Sequence, residues 1–157
     1  MNPPLLMDGL GFASVFSAGL LAGEEVAIRY GVRAPVASLV DRDHIQMRQA
    51  LIRRLRVLVP IVFTSAILSG AAVTALGSAG PAFALRCAGL AALIVFISIT
   101  LKGTVPINQA ALTWDPAAPP QNWRRLVRRW ERLDTARTWA ALAAFNLFLA
   151  ALLTPRT

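Results

Sequence analysis

Four long apolar runs constrain what this chain can fold into more than any other feature. They cover residues 5–28, 57–76, 82–101 and 138–153, and each approaches the length that an α-helix needs to cross the apolar interior of a bilayer. The sequence is 56% hydrophobic and only 15% charged, which is too apolar for a water-soluble domain of 157 residues. The runs therefore predict an all-α integral membrane protein, a single domain over residues 1–157 built as a four-helix bundle with the lipid bilayer as its partner.

The basic residues are concentrated in two polar segments between the apolar runs. Residues 29–56 and 102–137 carry seven lysines and arginines each, whereas the short turn at 77–81 carries none. Because basic residues accumulate in cytoplasmic loops, we expect both segments in the cytoplasm and both termini outside, in the inner membrane of a bacterium. Anionic lipid headgroups account for the net charge of +8, and we expect no nucleic-acid partner.

The first basic segment contains the pattern of an amphipathic helix over residues 42–56. We expect this helix to lie in the cytoplasm between the first and second spans, with Asp41 as its N-cap. At helical spacing, Met47 and Leu58 belong to an apolar stripe, and Gln49 lies with several arginines on the other side. The stripe predicts the face that contacts the rest of the protein.

Three titratable side chains near this segment are candidates for function. Glu24 and Glu25 lie about one helical turn before the end of the first apolar run, where carboxylates are costly. They either pair with arginines of the following segment at headgroup level or belong to a site that handles protons. His44, the only histidine, falls on the apolar stripe and is either a packing residue or a titrating group that binds substrate in a cavity. One histidine cannot form the usual histidine-rich metal sites, so no metal is predicted.

Small residues in the first apolar run form a GxxxG motif at Gly19 and Gly23. Such a motif lets a neighbouring helix approach closely. This face would suit a homo-oligomer.

The second basic segment combines prolines, tryptophans and charged residues. Its prolines predict a loop over residues 102–120, followed by a helix that enters the last span. Helical spacing places Trp130, Asp134 and Arg137 on one face of that helix. An interfacial anchor explains the tryptophans without any function, whereas the charged residues beside them suggest a site at the mouth of the bundle.

Three short stretches carry a resemblance to a known family. They are VPIN at residues 105–108, the following Trp114, and WERLDTART at residues 130–138. Together with the order of the spans, they resemble the anthrone-oxygenase-like family of small four-helix membrane proteins. The resemblance implies a membrane-bound oxygenase that acts on a hydrophobic, aromatic small molecule, an anthrone-like or phenolic polycyclic substrate. It implies dioxygen as co-substrate and no further cofactor.

The resemblance also points to particular residues: Asn108, Trp130 and Arg137. In such a reaction Arg137 and Asn108 would hold an oxyanion and Trp130 would stack on a substrate ring. The base would be a nearby carboxylate, from Glu24, Glu25 or Asp134. Asp134 stands where the family pattern commonly has His or Asn.

A non-enzymatic scaffold, an accessory subunit or a small transporter is the alternative function. In a scaffold the acidic side chains would pair permanently with arginines. Transporters usually carry polar groups near the middle of the membrane. The middles of the second, third and fourth apolar runs lack charged residues, which argues against transport.

Overall fold

Over residues 3–155 the fold consists of six α-helices joined by two short π-helical segments and brief turns. The computed structural model describes residues 3–155, with side chains from Leu5 onward, and that range contains no β-strand. In chain order the elements are α1 (Pro3–Val26), π1 (Ala27–Val32), α2 (Arg33–Ala37), α3 (Asp41–Ala75), α4 (Pro81–Ile99), π2 (Thr100–Thr104), α5 (Val105–Leu112) and α6 (Trp123–Leu153).

Four helical stretches are long and apolar enough to cross a membrane: Leu5–Ala37, Asp41–Ala75, Pro81–Leu112 and Trp123–Leu153. Short connections join them, so that successive stretches run antiparallel. Helix α1 packs on α3 and α6, and α4 also packs on α3 and α6. This ring of neighbours is a four-helix bundle, which confirms the predicted all-α membrane class.

The predicted amphipathic helix is not a separate element between the first two spans. Residues 42–56 form the first half of α3, which continues through Pro60 into the second apolar run. The packed face also differs from the prediction, because Met47 and Leu58 are 45% and 51% exposed while Gln49 is buried. Apolar side chains of a helix beside lipid need no protein cover, so hydrophobicity does not identify its inner face.

The second basic segment departs from the prediction in two places. The expected loop over residues 102–120 is largely helical, since π2 and α5 continue the third stretch to Leu112. Pro106 lies in the first turn of α5, where a missing backbone N–H is tolerated. Asp41 does not cap α3 but is its first residue, and its carboxylate pairs with Arg124 of α6.

The transmembrane core is built from small residues around a few large ones. Phe148 of α6 is 2% exposed and lies between Gly70 of α3 and Gly89 of α4. A Cβ atom at Gly70 would lie 2.7 Å from the Phe148 ring, and one at Gly89 would lie 3.0 Å from it. The two glycines therefore allow α3 and α4 to close around one aromatic ring.

The predicted GxxxG face is divided in the structure. Gly19 faces the Phe145 ring of α6 within the same chain, whereas nothing lies within 4 Å of the position that a Cβ atom of Gly23 would take. Gly19 therefore serves packing inside the bundle, and only Gly23 remains open to a further helix.

A second hydrophobic cluster closes the basic end of the bundle, the end that carries residues 29–56 and 102–137. The Trp114 and Trp123 rings meet edge to face with centroids 6.3 Å apart, and the His44 ring lies 5.1 Å from that of Trp123. Because this cluster contains aromatic residues from three elements, it fixes α3, α6 and the turn after α5 to one another.

The buried amide of Gln49 ties α3 to the end of α5 and to the turn that follows it. Its Nε2 atom donates hydrogen bonds to the carbonyl oxygens of Ala111, 3.0 Å away, and Trp114, 2.9 Å away. These carbonyls lie at the end of α5, where intrahelical partners run out. Gln49 thus gives the Trp114 carbonyl a donor and adds a second donor to the Ala111 carbonyl, which also accepts a hydrogen bond from the Trp114 N–H.

Replacing Gln49 by leucine is expected to lower the free energy of unfolding by about 1–3 kcal/mol, because the buried carbonyl oxygen of Trp114 would lose its donor and that of Ala111 would lose one of its donors. Reversible unfolding in mixed detergent micelles measures this change. The matched control is Gln46→Leu on the exposed side of the same helix, which should leave stability within about 0.5 kcal/mol of the parent. Equal effects of the two substitutions would contradict the role of Gln49.

Candidate functional site

A buried ion pair between the first and last helices lies at the centre of the candidate site. Glu25 of α1 is 1% exposed and Arg137 of α6 is 7% exposed. Glu25 Oε1 accepts a hydrogen bond from Arg137 Nη2. Arg137 Nη1 donates to Thr104 Oγ1 over 3.3 Å, and the guanidinium lies 4.8 Å from the centre of the Phe96 ring. Arg137 therefore joins three helical stretches at one point.

The two side chains that bind Arg137 lie next to interruptions of the α-helical repeat. Thr104 is the last residue of π2 and is fully buried, and Glu25 lies one residue before the end of α1. Both π-helical segments of the described chain thus adjoin the ion pair. Segments of π-helix within α-helices are often found at functional sites.

Two further carboxylates surround the pair. Glu24 precedes Glu25 and is half-buried, and Asp134 lies one turn before Arg137 and is 2% exposed. Both interact electrostatically with Arg137. Arg137 therefore interacts with three acidic side chains, those of Glu24, Glu25 and Asp134.

Arg33 of α2 connects this group to the surface. Its Nη2 atom lies 3.4 Å from Glu131 Oε2, and its Nη1 atom lies 3.8 Å from Asp134 Oδ2. The second distance suits an ion pair but exceeds a hydrogen bond, so the Asp134 oxygen keeps its capacity to accept one. Arg33 and Glu131 lie nearer the surface than Asp134, with 25% and 30% of their side chains exposed against 2% for Asp134.

The face of α6 continues from the ion pair toward the basic end. The guanidinium of Arg48, from α3, lies 4.4 Å from the centre of the Trp130 ring. Arg48 is buried, although it belongs to a segment rich in exposed arginines. The stack fixes the indole of Trp130 one helical turn from Asp134.

Buried polar atoms without a hydrogen-bond partner are concentrated in this region. Among the described residues there are nine, from Glu24, Glu25, Arg29, Arg48, Asn108, Trp130, Asp134 and Arg137. Buried polar groups in proteins normally have partners. A set of donors and acceptors left free at one end of a bundle is the arrangement expected where a polar part of another molecule binds.

The structure brings four of the predicted residues together: Glu24, Glu25, Asp134 and Arg137. Glu25 pairs with an arginine of the last helix, and not with one from the segment that follows it. Trp130 is one turn away. Asn108 lies one turn beyond Thr104 on the third stretch and has a buried Oδ1 atom without a partner.

His44 is not beside the ion pair. It packs on Trp123, which precedes Arg137 by 14 positions on α6, or about 21 Å along the helix axis. The position of His44 within an aromatic cluster agrees with a packing residue, and a substrate contact there would be separate from the carboxylates.

Sequence reasoning missed Thr104, Arg48 and Arg33. Thr104 lies beside the VPIN stretch but has no periodic signal, because π2 interrupts the helical repeat. Arg48 shares the helical spacing of the buried Ile45 and the partly buried Ile52, and this spacing was the sign in the sequence that Arg48 faces inward.

No group of three or more His, Cys, Asp or Glu side chains within residues 3–155 is arranged to hold a metal ion. The donors and acceptors of the site are carboxylates, guanidinium groups, an amide, an indole and a hydroxyl.

Comparison with known proteins identifies a family. The family model described as anthrone oxygenase matches residues 47–147, well over half of the chain. The matched part contains Arg48, Asn108, Trp130 and Arg137, whereas Glu25 precedes it. Neither the curated proteins nor the solved structures yielded a match to this chain.

Proposed function

Since the chain belongs to the anthrone oxygenase family, we propose that it is a membrane-bound oxygenase that converts an anthrone-like polycyclic phenol into a quinone. The observation that carries the proposal is the buried guanidinium of Arg137, held between Glu25 and Thr104 among polar atoms that lack partners. A fixed cation in an apolar surrounding stabilises an oxyanion much more strongly than one in water.

The proposed reaction needs a base, an oxyanion site and dioxygen. An anthrone has a methylene group between two aryl rings, opposite a carbonyl group. Removal of one methylene proton leaves an anion whose charge is shared with the carbonyl oxygen. This anion reduces dioxygen and forms a carbon–oxygen bond, which gives a hydroperoxide after protonation. Loss of water from the hydroperoxide leaves the second carbonyl, so one anthrone and one dioxygen yield one quinone and one water.

We assign the base to Glu24. It is half-buried, forms no ion pair within the described residues, and has a buried Oε2 atom without a partner. Glu25 is already engaged by Arg137, and Asp134 lies near Arg33. Glu24 is the most exposed of the three carboxylates and, although it shares a hydrogen bond with Glu25, no cation of the described residues holds it in an ion pair. It is therefore the carboxylate best placed to accept the methylene proton.

The remaining groups would position the substrate. Arg137 would hold the developing oxyanion, with Asn108 contributing its side-chain amide from the neighbouring stretch. Trp130 offers a flat surface for a polycyclic ring, and Arg48 stabilises its orientation. Glu25 would act as a positioning residue, because its bond to Arg137 fixes the direction of the guanidinium.

The experiment is dioxygen consumption and quinone formation by the purified protein with a simple anthrone. Relative to the parent, Glu24→Gln is expected to slow turnover about 100-fold or more, because the amide cannot accept the proton. Unaided oxidation of anthrone is subtracted with the same micelles without protein. Arg129→Ala, which removes an exposed arginine from α6, is the matched control and should keep the parent rate.

A parent protein that does not accelerate quinone formation would contradict the oxygenase proposal for this substrate. Retained turnover in Glu24→Gln would instead transfer the base to Asp134 or Glu25. The variants Asp134→Asn and Glu25→Gln then identify which carboxylate is needed.

A scaffold without enzymatic activity is the second candidate. One observation favours it, the ion pair that occupies Glu25 and Arg137. Its distinguishing result is a protein whose stability depends on the pair and which accelerates no oxidation of phenolic substrates.

A further inference from the structure

A basic groove lies on the surface above the candidate site. It has a volume of about 430 Å³ and is lined by Arg33, Arg128, Glu131, Arg132 and Thr135. Three guanidinium groups face one carboxylate, so the groove carries a net positive charge. We call it the arginine groove.

Only some of the charged groups in the groove form ion pairs with each other. Glu131 is held by Arg33, with 3.4 Å between their nearest charged atoms. Arg128 and Arg132 are exposed and form no ion pair or side-chain hydrogen bond among the described residues. They lie four positions apart on α6, so their guanidinium groups can converge on one anion, and a phosphate matches two such groups well.

The position of the groove relates it to the membrane surface. Arg128, Arg132, Thr135 and Trp139 follow one another at spacings of four, three and four residues, which places them on one face of α6. Trp139 is 62% exposed and begins the apolar part of the helix. Exposed indoles at such positions lie at the level of the lipid headgroups.

The same face continues into the lipid-facing surface. Beyond Trp139 it presents exposed Ala143, Asn146, Ala150 and Leu153. Asn146 donates its side-chain amide to the Leu142 carbonyl of its own helix, and the other three side chains suit hydrocarbon chains. Arg132 lies about 10 Å from Trp139 along the axis, and its long side chain can reach back to the phosphate level. An anion bound in the arginine groove would therefore lie at the headgroup end of this exposed face of α6, which we call the apolar track.

We propose that the arginine groove binds the phosphate headgroup of an anionic phospholipid, with the acyl chains lying along the α6 face below Trp139. The lipid is favoured over a free phosphate because the basic groove and the apolar track lie on one continuous face. Arg128 and Arg132 contact the phosphate, and Thr135 adds a hydroxyl donor.

The test measures the affinity of the full-length protein, purified in a neutral detergent, for short-chain phosphatidylglycerol by native mass spectrometry. Replacing both Arg128 and Arg132 by glutamine is expected to weaken binding about thirtyfold, since each arginine near a membrane surface contributes about a factor of five. The matched control replaces Arg125 and Arg129, which have the same spacing and exposure on α6 but lie outside the groove. That variant should bind as the parent does.

Three comparisons can overturn the proposal. Equal loss in the two double variants would show attraction to net charge alone. Equal affinity for phosphatidylcholine would show apolar adsorption, and equal affinity for glycerol 3-phosphate would show a site for a free phosphate. Preference for phosphatidylglycerol over both, lost only in the variant of the groove, supports it.

Discussion

Replacing Arg137 by methionine is expected to lower the free energy of unfolding by about 3–5 kcal/mol, because the substitution leaves the Glu25 carboxylate buried without its cation. Both partners are almost fully inaccessible, so water cannot replace the lost interaction. The measurement is reversible unfolding in mixed detergent micelles. In the oxygenase assay, the same substitution should reduce turnover about 100-fold or more through loss of the oxyanion contact.

A double variant distinguishes the effect of Arg137 on stability from its effect on activity. A double variant, Glu25→Leu with Arg137→Met, removes both charges and should recover most of the lost stability, because a buried ion pair can be replaced by apolar groups at little cost. It should remain inactive. Arg137→Lys keeps the charge but not the two-armed geometry, and should fall between parent and methionine variant. A double variant as unstable as the single one would contradict the pairing.

Replacing Phe148 by alanine is expected to lower the free energy of unfolding by about 3–5 kcal/mol, the usual cost of deleting a buried phenyl ring. The ring is the contact at which α3, α4 and α6 meet. Gly70→Ala alone should cost about 1–3 kcal/mol, because its Cβ would lie 2.7 Å from the ring.

The two substitutions should not be additive. With Phe148 reduced to alanine, the Cβ added at Gly70 enters the vacated space, so Gly70→Ala should become neutral or stabilising in that background. The matched control is Gly23→Ala, where nothing obstructs a Cβ; it should be stabilising by up to about 1 kcal/mol. Additive losses at positions 70 and 148 would contradict the packing contact.

The fold class was predictable because a helix that crosses a lipid bilayer must be built almost entirely from apolar residues. Four apolar runs could be placed without knowledge of any contact, since only a helix satisfies its own backbone in lipid. The boundaries were less predictable. Pro106 and the polarity of residues 42–56 suggested interruptions, yet both stretches belong to long helices. A helix that projects beyond the bilayer as part of a bundle looks, in sequence, like a loop or a surface helix.

Part of the site could also be predicted. The common face of Trp130, Asp134 and Arg137 follows from an uninterrupted α6. Thr104 and Arg33 could not be predicted to join them, because Thr104 lies at the end of π2 and Arg33 directly follows π1, and both segments interrupt the α-helical repeat. Contacts between helices distant in sequence, such as that between Glu25 and Arg137, require the arrangement of the bundle and not the periodicity of any one helix.

The π1 segment changes the direction in which Arg33 points around the helix axis relative to Glu25. Arg33 follows Glu25 by eight positions, and an unbroken α-helix would turn it about 80° away around the axis. The additional residue in a π turn subtracts about 100°, which brings the two side chains to within about 20° of each other. Both then face α6, where Glu25 meets Arg137 and Arg33 meets Glu131. The additional residue of π1 thus keeps Glu25 and Arg33 on the same side of the first helical stretch. This stretch therefore contacts α6 both inside the bundle, at Arg137, and near its surface, at Glu131.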